Sequence, residues 1–185
     1  MLLALAGVTG VGKSYFKDIL VKKLNFEKIK IITTRQKRIG EKNNEDKIFV
    51  TLDELNELKK ENKIAYDFNM LGNTYAYSKD SLFSNKNTVF ELHYNTIFDF
   101  KKICPNLRSI YIFPKNIEMA KEQTKKRHLN SRVEKDRLLE IDEHYNKMLS
   151  DYNLRKQFDY IFYNNYDKES EDKLIELVKK LLNNY

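Results

Sequence analysis

Apolar and polar positions follow one another in blocks whose period changes along this chain. Residues 2–6 form a short apolar run typical of a buried strand, and apolar residues then recur at helical spacing over 15–24. Another stripe at helical spacing, over 174–182, predicts a closing helix. Because buried strands and amphipathic helices alternate between these two ends, the pattern predicts an α/β fold with a parallel sheet flanked by helices. Ligands of such sheets bind beyond the carboxyl ends of the strands.

The intervening blocks predict the remaining elements. Strands are expected over 28–33, 48–50, 64–68, 74–77, 88–92, 108–113 and 159–163. Helices are expected over 51–62, 80–83 and 98–103, and in a long charged region, 117–152, interrupted near residue 130. Thr51 and Glu54 have the spacing of a capping box at the start of the 51–62 helix. Hairpin signals gather in 48–77, around Leu71-Gly72-Asn73, and indicate a small insertion.

Composition narrows the classes of protein. A length of 185 residues suits one well-buried domain. The net charge of +7 is spread among many acidic residues, so a phosphate-rich small substrate explains it as well as a nucleic acid does, and we do not expect a nucleic-acid partner. Cys104 is the only cysteine, which excludes an internal disulfide and favours the cytoplasm. The opening apolar run is interpreted as a core strand rather than a signal peptide, and no stretch has the length of a membrane span.

The loop after the first strand carries the clearest chemistry. The run Gly7-Val8-Thr9-Gly10-Val11-Gly12-Lys13-Ser14 matches the phosphate-binding pattern of glycine, four free positions and Gly-Lys-Ser. Glycines let consecutive backbone N–H groups curl around a polyphosphate, and the following helix directs its positive end at the same oxygens. We therefore expect ATP to contact Gly7, Gly10, Val11, Gly12, Lys13, Ser14 and Tyr15. Lys13 would serve the terminal phosphates and Ser14 would ligate Mg²⁺.

An acceptor site is predicted downstream, at the end of the next strand. Arg35 and Arg38 lie three residues apart there, and guanidinium groups match phosphate oxygens as planar forks. Two such groups converging on one phosphate would suit a monophosphate acceptor. The alternative is that Arg35, Lys37 and Arg38 form an ordinary basic surface loop.

With these segments in view, the chain resembles the guanylate kinase family. That family has a phosphate loop followed by Thr-Thr-Arg-x-x-Arg-x-Gly-Glu, which here is residues 33–41. The likeness continues at 46–50, 72–75, 111–114 and 159–164, in order and over nearly the whole chain. It implies a P-loop NTPase fold in one domain over 1–185. Its parts would be a core (1–34, 84–126 and 153–185), an α+β acceptor-binding insertion (35–83), and a helical lid with the following helix (127–152).

The resemblance also implies an activity and roles for residues. The activity is ATP- and Mg²⁺-dependent phosphoryl transfer to a nucleoside monophosphate, GMP being the family default. Lys13, Arg127 and Arg137 would stabilise the group in transfer, with Arg132 a further candidate in the lid, and Asn164 would lie near the ATP base. The expected acceptor contacts are Arg35, Arg38, Lys47, Tyr66, Tyr75 and Glu91.

The chain departs from the family at positions that recognise the acceptor. Lys47 stands where the family has a phosphate-binding tyrosine, and Tyr66 where it has the glutamate that reads guanine. Ala76-Tyr77 replaces glycine followed by serine or threonine. A deoxynucleotide or a ribose phosphate therefore stays open as the acceptor. A non-catalytic binding module and a nucleic-acid-binding P-loop protein are the alternatives outside the enzyme class, and the sequence leaves open whether the protein is a monomer or a homodimer.

Overall fold

The strands form two sheets of different construction. The structure is a computed structural model that describes residues 1–37, 40–70, 72–126 and 131–183. The first sheet is parallel throughout, in the order β2-β7-β1-β8-β9. Its strands are β1 (Leu2–Gly7), β2 (Glu27–Lys28), β7 (Thr88–Glu91), β8 (Arg108–Pro114) and β9 (Tyr160–Asn164). The expected fold class, a parallel α/β sheet, is confirmed.

The second sheet is mixed and smaller. Its order is β4-β3-β6-β5, with β3 and β4 parallel and the other two pairings antiparallel. Its strands are β3 (Ile31–Thr33), β4 (Lys47–Phe49), β5 (Ile64–Met70) and β6 (Asn73–Ser78). The β5–β6 hairpin matches the expected one, and Leu71 in its turn lies outside the described residues.

The helices lie between the strands in the expected places. Those named in the following sections are α1 (Lys13–Leu24), α2 (Leu52–Lys60), α3 (Lys79–Leu82), α4 (Ile97–Ile103), α5 (Ile117–Lys125), α6 (Ser131–Ser150), α7 (Tyr152–Arg155) and α8 (Lys168–Asn183). The capping box at the start of α2 is confirmed, because the Thr51 hydroxyl accepts from the Glu54 N–H and the Glu54 carboxylate accepts from the Thr51 N–H. No helix among the described residues combines the length and apolar character that crossing a bilayer requires.

One predicted strand is wrong in an informative way. Residues 28–33 form two short strands that belong to different sheets. The N–H of Ile29 still donates to Val89 of the first sheet at 3.0 Å, whereas the N–H of Ile31 donates to Asp46, next to the second sheet, at 3.2 Å. The chain therefore passes from one sheet to the other at Lys30.

Both faces of the first sheet are buried. Successive β1 residues alternate between two apolar clusters, so that Leu3 and Leu5 face one and Leu2, Ala4 and Ala6 face the other. Helices α1 and α8 cover the first face, and α4 covers the second through Phe100. This double burial fixes the strand register, so the carboxyl ends of β1, β7, β8 and β9 meet at one edge.

Candidate active site

The phosphate loop joins β1 to α1 at that edge and is tightly packed. Gly10 and Gly12 have left-handed φ values of 83° and 95°. A Cβ at Gly10 would lie 2.1 Å from the Ala120 carbonyl oxygen, so α5 approaches too closely for any side chain there. Gly12 precedes the first residue of α1, which directs the positive end of that helix at the loop.

Lys13 lies over the loop that precedes it. Its ammonium donates to the carbonyl oxygens of Gly7 at 2.8 Å and Val8 at 2.9 Å. The cation is thereby held against the loop backbone, and its service to the terminal phosphates stays a prediction. Gly7 contributes its backbone to this arrangement, and the Val11 side chain is buried in the core.

Asn164, the last residue of β9, supports the phosphate loop through hydrogen bonds to its backbone. Its buried side-chain amide donates to the Val11 carbonyl at 2.9 Å. The Oδ1 atom of the same side chain accepts from the Tyr166 N–H at 2.8 Å, and the Tyr166 hydroxyl donates to the Gly10 carbonyl at 3.3 Å. The structure thus assigns Asn164 a support role that its predicted place near the ATP base did not include.

The side-chain oxygens of Ser14 and Glu91 lie next to each other at the end of the phosphate loop. The Ser14 hydroxyl donates to Glu91 Oε1 at 2.8 Å, and the Lys17 ammonium lies 3.2 Å from the same oxygen. Burial alone would raise the pKa of Glu91, but nearby Lys17 and Lys13 lower it below the ordinary value. The carboxylate is therefore ionised at neutral pH and accepts a hydrogen bond from the Ser14 hydroxyl.

These oxygens fit the chemistry of Mg²⁺. Mg²⁺ prefers oxygen ligands and usually takes few of them from the protein, the others coming from phosphates and water. No group of three or more His, Cys, Asp or Glu suited to a metal occurs among the described residues. Ser14 as a direct ligand, with Glu91 beside it, is the arrangement expected where a nucleotide supplies the other ligands.

Three of the six predicted acceptor residues, Arg35, Lys47 and Tyr75, form a second wall on the second sheet and its adjoining loop. Both Glu41 carboxylate oxygens accept from the Arg35 guanidinium at 2.8 Å, and the Lys47 ammonium lies 3.5 Å from Glu41. The guanidinium also lies 5.3 Å from the centre of the Phe49 ring. Tyr75 is buried nearby on β6. Arg35, Lys47 and Tyr75 are hereafter called the acceptor clamp.

The phosphate loop and the acceptor clamp line the same cavity, whose volume is about 950 Å³. Most of the predicted site residues line it, namely Gly10, Gly12, Lys13, Ser14, Tyr15, Arg35, Lys47, Tyr75, Glu91, Arg137 and Asn164. Arg137 enters from α6, where its guanidinium contacts Glu140. Arg132 is exposed on the same helix and is not among the lining residues. Arg38 and Arg127 lie outside the described residues.

An acidic residue links α1 to α8 at the loop end of the cavity. Glu171, in the first turn of α8, accepts from the Tyr15 hydroxyl at 2.5 Å and from Lys23 at 2.8 Å, and it contacts Lys168. These hydrogen bonds, the one from Lys168 foremost, lower the pKa of Glu171 to about 2. Sequence reasoning placed Tyr15 here but gave no sign of its partner.

Comparison with known proteins decides the family. The guanylate kinase family model matches residues 1–184. The chain belongs to the guanylate kinase family. The guanylate kinase of Lactobacillus johnsonii is 31% identical over 137 residues, covering 71% of this chain and 67% of that protein. The Bacillus subtilis guanylate kinase is 25% identical over 187 residues, covering 96% and 87%.

A solved structure agrees at the level of fold. The guanylate kinase of Anaplasma phagocytophilum superposes with a TM-score of 0.71 at 20% identity, covering 97% of this chain and 85% of that chain. The expected family and enzyme class, an ATP-dependent nucleoside monophosphate kinase, are confirmed by these relatives. They give no support to a binding module, a nucleic-acid-binding protein or a different class of acceptor.

Two departures from the guanylate kinase pattern pack into the protein. Neither Tyr66 nor Tyr77 is among the residues that line the cavity. The Tyr66 hydroxyl donates to Asp99 on α4 at 3.1 Å, and its ring lies 4.8 Å from that of Phe100. The fully buried Tyr77 donates to the Glu91 carbonyl oxygen at 2.9 Å. Contact between Tyr66 and an acceptor therefore stays a prediction.

Several lining residues were missed by sequence reasoning. They are Glu41, Asp46, Met70, Gln123, Tyr166, Asp167, Lys168 and Glu171. Glu41 closes the Thr-Thr-Arg segment that the guanylate kinase family shares, so its position in the motif was a usable signal. Asp46 opens the shared 46–50 segment, but no residue pattern assigned a role to it or to the others, and the fold brings them to the site.

Proposed function

We propose that this protein transfers the γ-phosphoryl group of ATP to the phosphate of a nucleoside monophosphate, with GMP as the acceptor expected of its family. The observation that carries the proposal is the shared cavity, in which Lys13 and Ser14 on one wall face the acceptor clamp on the other. Phosphoryl transfer needs donor and acceptor phosphates held in line, and one cavity lined by both groups meets that need.

On the donor side, the phosphate loop would supply backbone N–H groups and the positive charge of Lys13. The N–H groups at the start of α1 and the Lys13 ammonium would hold the β- and γ-phosphates. Lys13 would exchange its contacts with Gly7 and Val8 for phosphate oxygens. Ser14, oriented by Glu91, would hold Mg²⁺, which when bound neutralises charge on the phosphates.

On the acceptor side, Arg35 and Lys47 would bind the monophosphate and Tyr75 would donate from its hydroxyl. Phosphate would compete with Glu41 for the Arg35 guanidinium, because both anions accept hydrogen bonds from it. The acceptor oxygen is already ionised, so the reaction needs no strong general base. Arg137, and Arg127 beyond the described residues, would stabilise the charge that develops during transfer.

The partners follow from this activity. They are ATP, Mg²⁺ and a small nucleotide acceptor, with no nucleic acid. A reducing cytoplasm remains the expectation drawn from the single cysteine.

The test is ADP release from ATP and Mg²⁺ against a panel of nucleoside monophosphates and sugar phosphates. We expect turnover with GMP, and a loss of at least about 100-fold in kcat for Lys13→Ala, because a positioned cation is removed from the transferring group. Lys179→Ala, on the exposed face of α8, is the matched control and should keep full activity.

The panel separates the outcomes. Turnover of another monophosphate in preference to GMP would keep the kinase and replace its acceptor. If no compound raises ADP release above the level of the Lys13→Ala variant, the proposal is wrong.

A further inference from the structure

Lys17 is a buried cation between the two walls of the cavity, and the activity proposed above assigns it no role. Its residue exposure is 4%, and it lies on the face of α1 that packs toward β7. The ammonium lies 3.0 Å from Asp46 Oδ1 and 3.2 Å from Glu91 Oε1. Burying an ammonium is unfavourable unless anions surround it, so this pair of carboxylates is what keeps Lys17 in place.

The two carboxylates belong to different sheets. Glu91 is the last residue of β7 in the first sheet, whereas Asp46 directly precedes β4 in the second. The Asp46 carbonyl also accepts from Ile31 at the start of β3. Lys17 is therefore an ionic link from the helix that follows the phosphate loop to both sheets at once.

The position of the Asp46 carboxylate depends strongly on its contact with Lys17. Its Oδ1 atom is buried and makes no hydrogen bond within the described part of the chain, so cations alone compensate it. Lys28 is the other nearby cation, at 3.2 Å, but it is more exposed and is shared with Asp18. Lys17 is the closer and better buried of the two.

The position of Asp46 bears directly on the acceptor clamp. Lys47 follows Asp46 in the chain, and β4 lies beside β3, which leads into Arg35. A shift of Asp46 would therefore move two of the three clamp residues relative to Lys13 and Ser14. Displacements on the order of 1 Å are enough to slow an aligned transfer markedly.

We propose that Lys17 is a positioning residue that holds the acceptor clamp at its working distance from the phosphate loop by bridging Asp46 and Glu91. The proposal rests on the kinase activity proposed above. Without the ammonium, two carboxylates would face each other across the boundary between the sheets, and their repulsion would push the second sheet away. The phosphate loop would keep its backbone conformation, since the partners of Lys17 in the described part of the chain are the Asp46 and Glu91 carboxylates and not the loop backbone.

The test compares Lys17→Met, which keeps the apolar stem and removes the charge, with the wild type and three further variants. We expect Lys17→Met to raise the acceptor KM about tenfold and lower kcat, with the Kd for ATP, measured without acceptor, within about twofold of wild type. Lys17→Arg should restore most of the acceptor KM. Lys28→Met, which removes the more exposed cation, is the matched control and should change both constants less than about threefold.

A double variant separates the ionic link from simple packing. In Lys17→Met/Asp46→Asn the unpaired carboxylate is gone, so we expect both the acceptor KM and the melting temperature to recover part of what Lys17→Met loses. An unchanged acceptor KM in Lys17→Met, an equal loss of ATP binding, or no recovery in the double variant would each overturn the proposal.

The melting temperatures also separate this proposal from the proposed function. They require no substrate, so the recovery by Asp46→Asn tests the link even if the wild type phosphorylates no acceptor. In that case the kinase proposal fails, and recovery or its absence still decides whether Lys17 bridges the two sheets.

Discussion

At the scale of single residues, the site is defined by groups that already hold charged or polar partners of the protein itself. Arg35 holds both oxygens of Glu41, and Lys13 holds two carbonyl oxygens of its own loop. A carboxylate and two carbonyls resemble phosphate oxygens in the hydrogen bonds they accept. Each cation is thus held in place by hydrogen bonds before a phosphate arrives, which lowers the entropy cost of receiving one.

Arg35 offers a sharp prediction because its guanidinium holds two partners, with Nη2 donating to both Glu41 oxygens and Nη1 donating to the Gln36 carbonyl. Arg35→Lys keeps the charge but removes the planar pair of nitrogens that could bind two oxygens of a phosphate at once. We expect the acceptor KM to rise about tenfold or more with an unchanged ATP KM, measured by steady-state kinetics. Lys37→Ala, an exposed residue of the same loop, is the control. Equal losses for both substrates would contradict a role confined to the acceptor.

Gly10 offers a second residue-scale prediction, on stability. Gly10→Ala would place a Cβ 2.1 Å from the Ala120 carbonyl at a φ of 83°. We expect a loss of more than about 2 kcal/mol in the free energy of unfolding, because strain adds to the displacement of α5. Gly72→Ala is the matched control, since its φ is 73° but, its chain neighbours aside, no atom of the described residues lies within 4 Å of the added carbon. Urea unfolding of both variants measures the difference, and equal losses would mean that backbone strain alone matters.

At the scale of elements, the donor wall depends on how α1 meets α8. The Tyr15 hydroxyl and the Lys23 ammonium, both on α1, converge on Glu171 at the start of α8. Because Tyr15 directly follows Ser14, this contact orients the first turn of the helix whose N-terminus faces the phosphates. The stability of that turn should therefore depend on the charge of Glu171.

The pH dependence of Glu171 follows from its lowered pKa. A carboxylate with a pKa of about 2 in the folded protein and an ordinary one in the unfolded chain stabilises the fold above the ordinary value. That stabilisation is lost as the pH falls from about 4.3 toward the folded pKa. We expect the melting temperature of the wild type to be higher than that of the Glu171→Gln variant at pH 7, and this difference to be smaller at pH 3. A difference that stays constant between these pH values would show that the charge is not responsible.

Elements with a local cause were predictable from the sequence, and those with a distant cause were not. The phosphate loop and the α2 capping box are built from neighbouring residues, and both formed as predicted. The break at Lys30 depends on Val89 and Asp46, which are far away in the chain. The buried state of Lys17 likewise depends on Asp46 and Glu91, so the helical pattern around it gave no sign of it. Sequence pattern reports local preferences, whereas these two features are set by tertiary partners.

At the scale of the whole molecule, the active site is a boundary between two sheets. Donor residues follow strands of the first sheet, and the acceptor clamp belongs to the second sheet and its adjoining loop. Lys17 and Arg137 reach this boundary from helices packed on the first sheet. The geometry of transfer therefore depends on how one sheet is held against the other.

A ligand that spans the boundary should stabilise the protein more than ATP alone. A bisubstrate compound, with adenosine joined to a nucleoside through a phosphate chain, would contact both Lys13 and Arg35. At a concentration of about 100 times its Kd, a ligand that binds only the folded protein adds about 2.7 kcal/mol to the free energy of unfolding. At equal concentration, the ligand that binds more tightly therefore raises the melting temperature more. We expect Arg35→Lys to reduce the shift for the bisubstrate compound and to leave the shift for ATP unchanged. An identical reduction for both ligands would contradict the assignment of Arg35 to the acceptor.

The crossing at Lys30 has a consequence for how such a protein can diversify. The second sheet is entered at Lys30 and left through α3, so everything from Ile31 to Ser78 is attached to the first sheet by two short connections. Substitutions within this segment that keep the contacts of Asp46 with Lys17 and of Tyr77 with Glu91 leave the donor loop untouched, so the rest of the segment can vary independently. Acceptor preference can then drift, or be engineered, separately from the use of ATP, provided that a carboxylate is kept opposite Lys17.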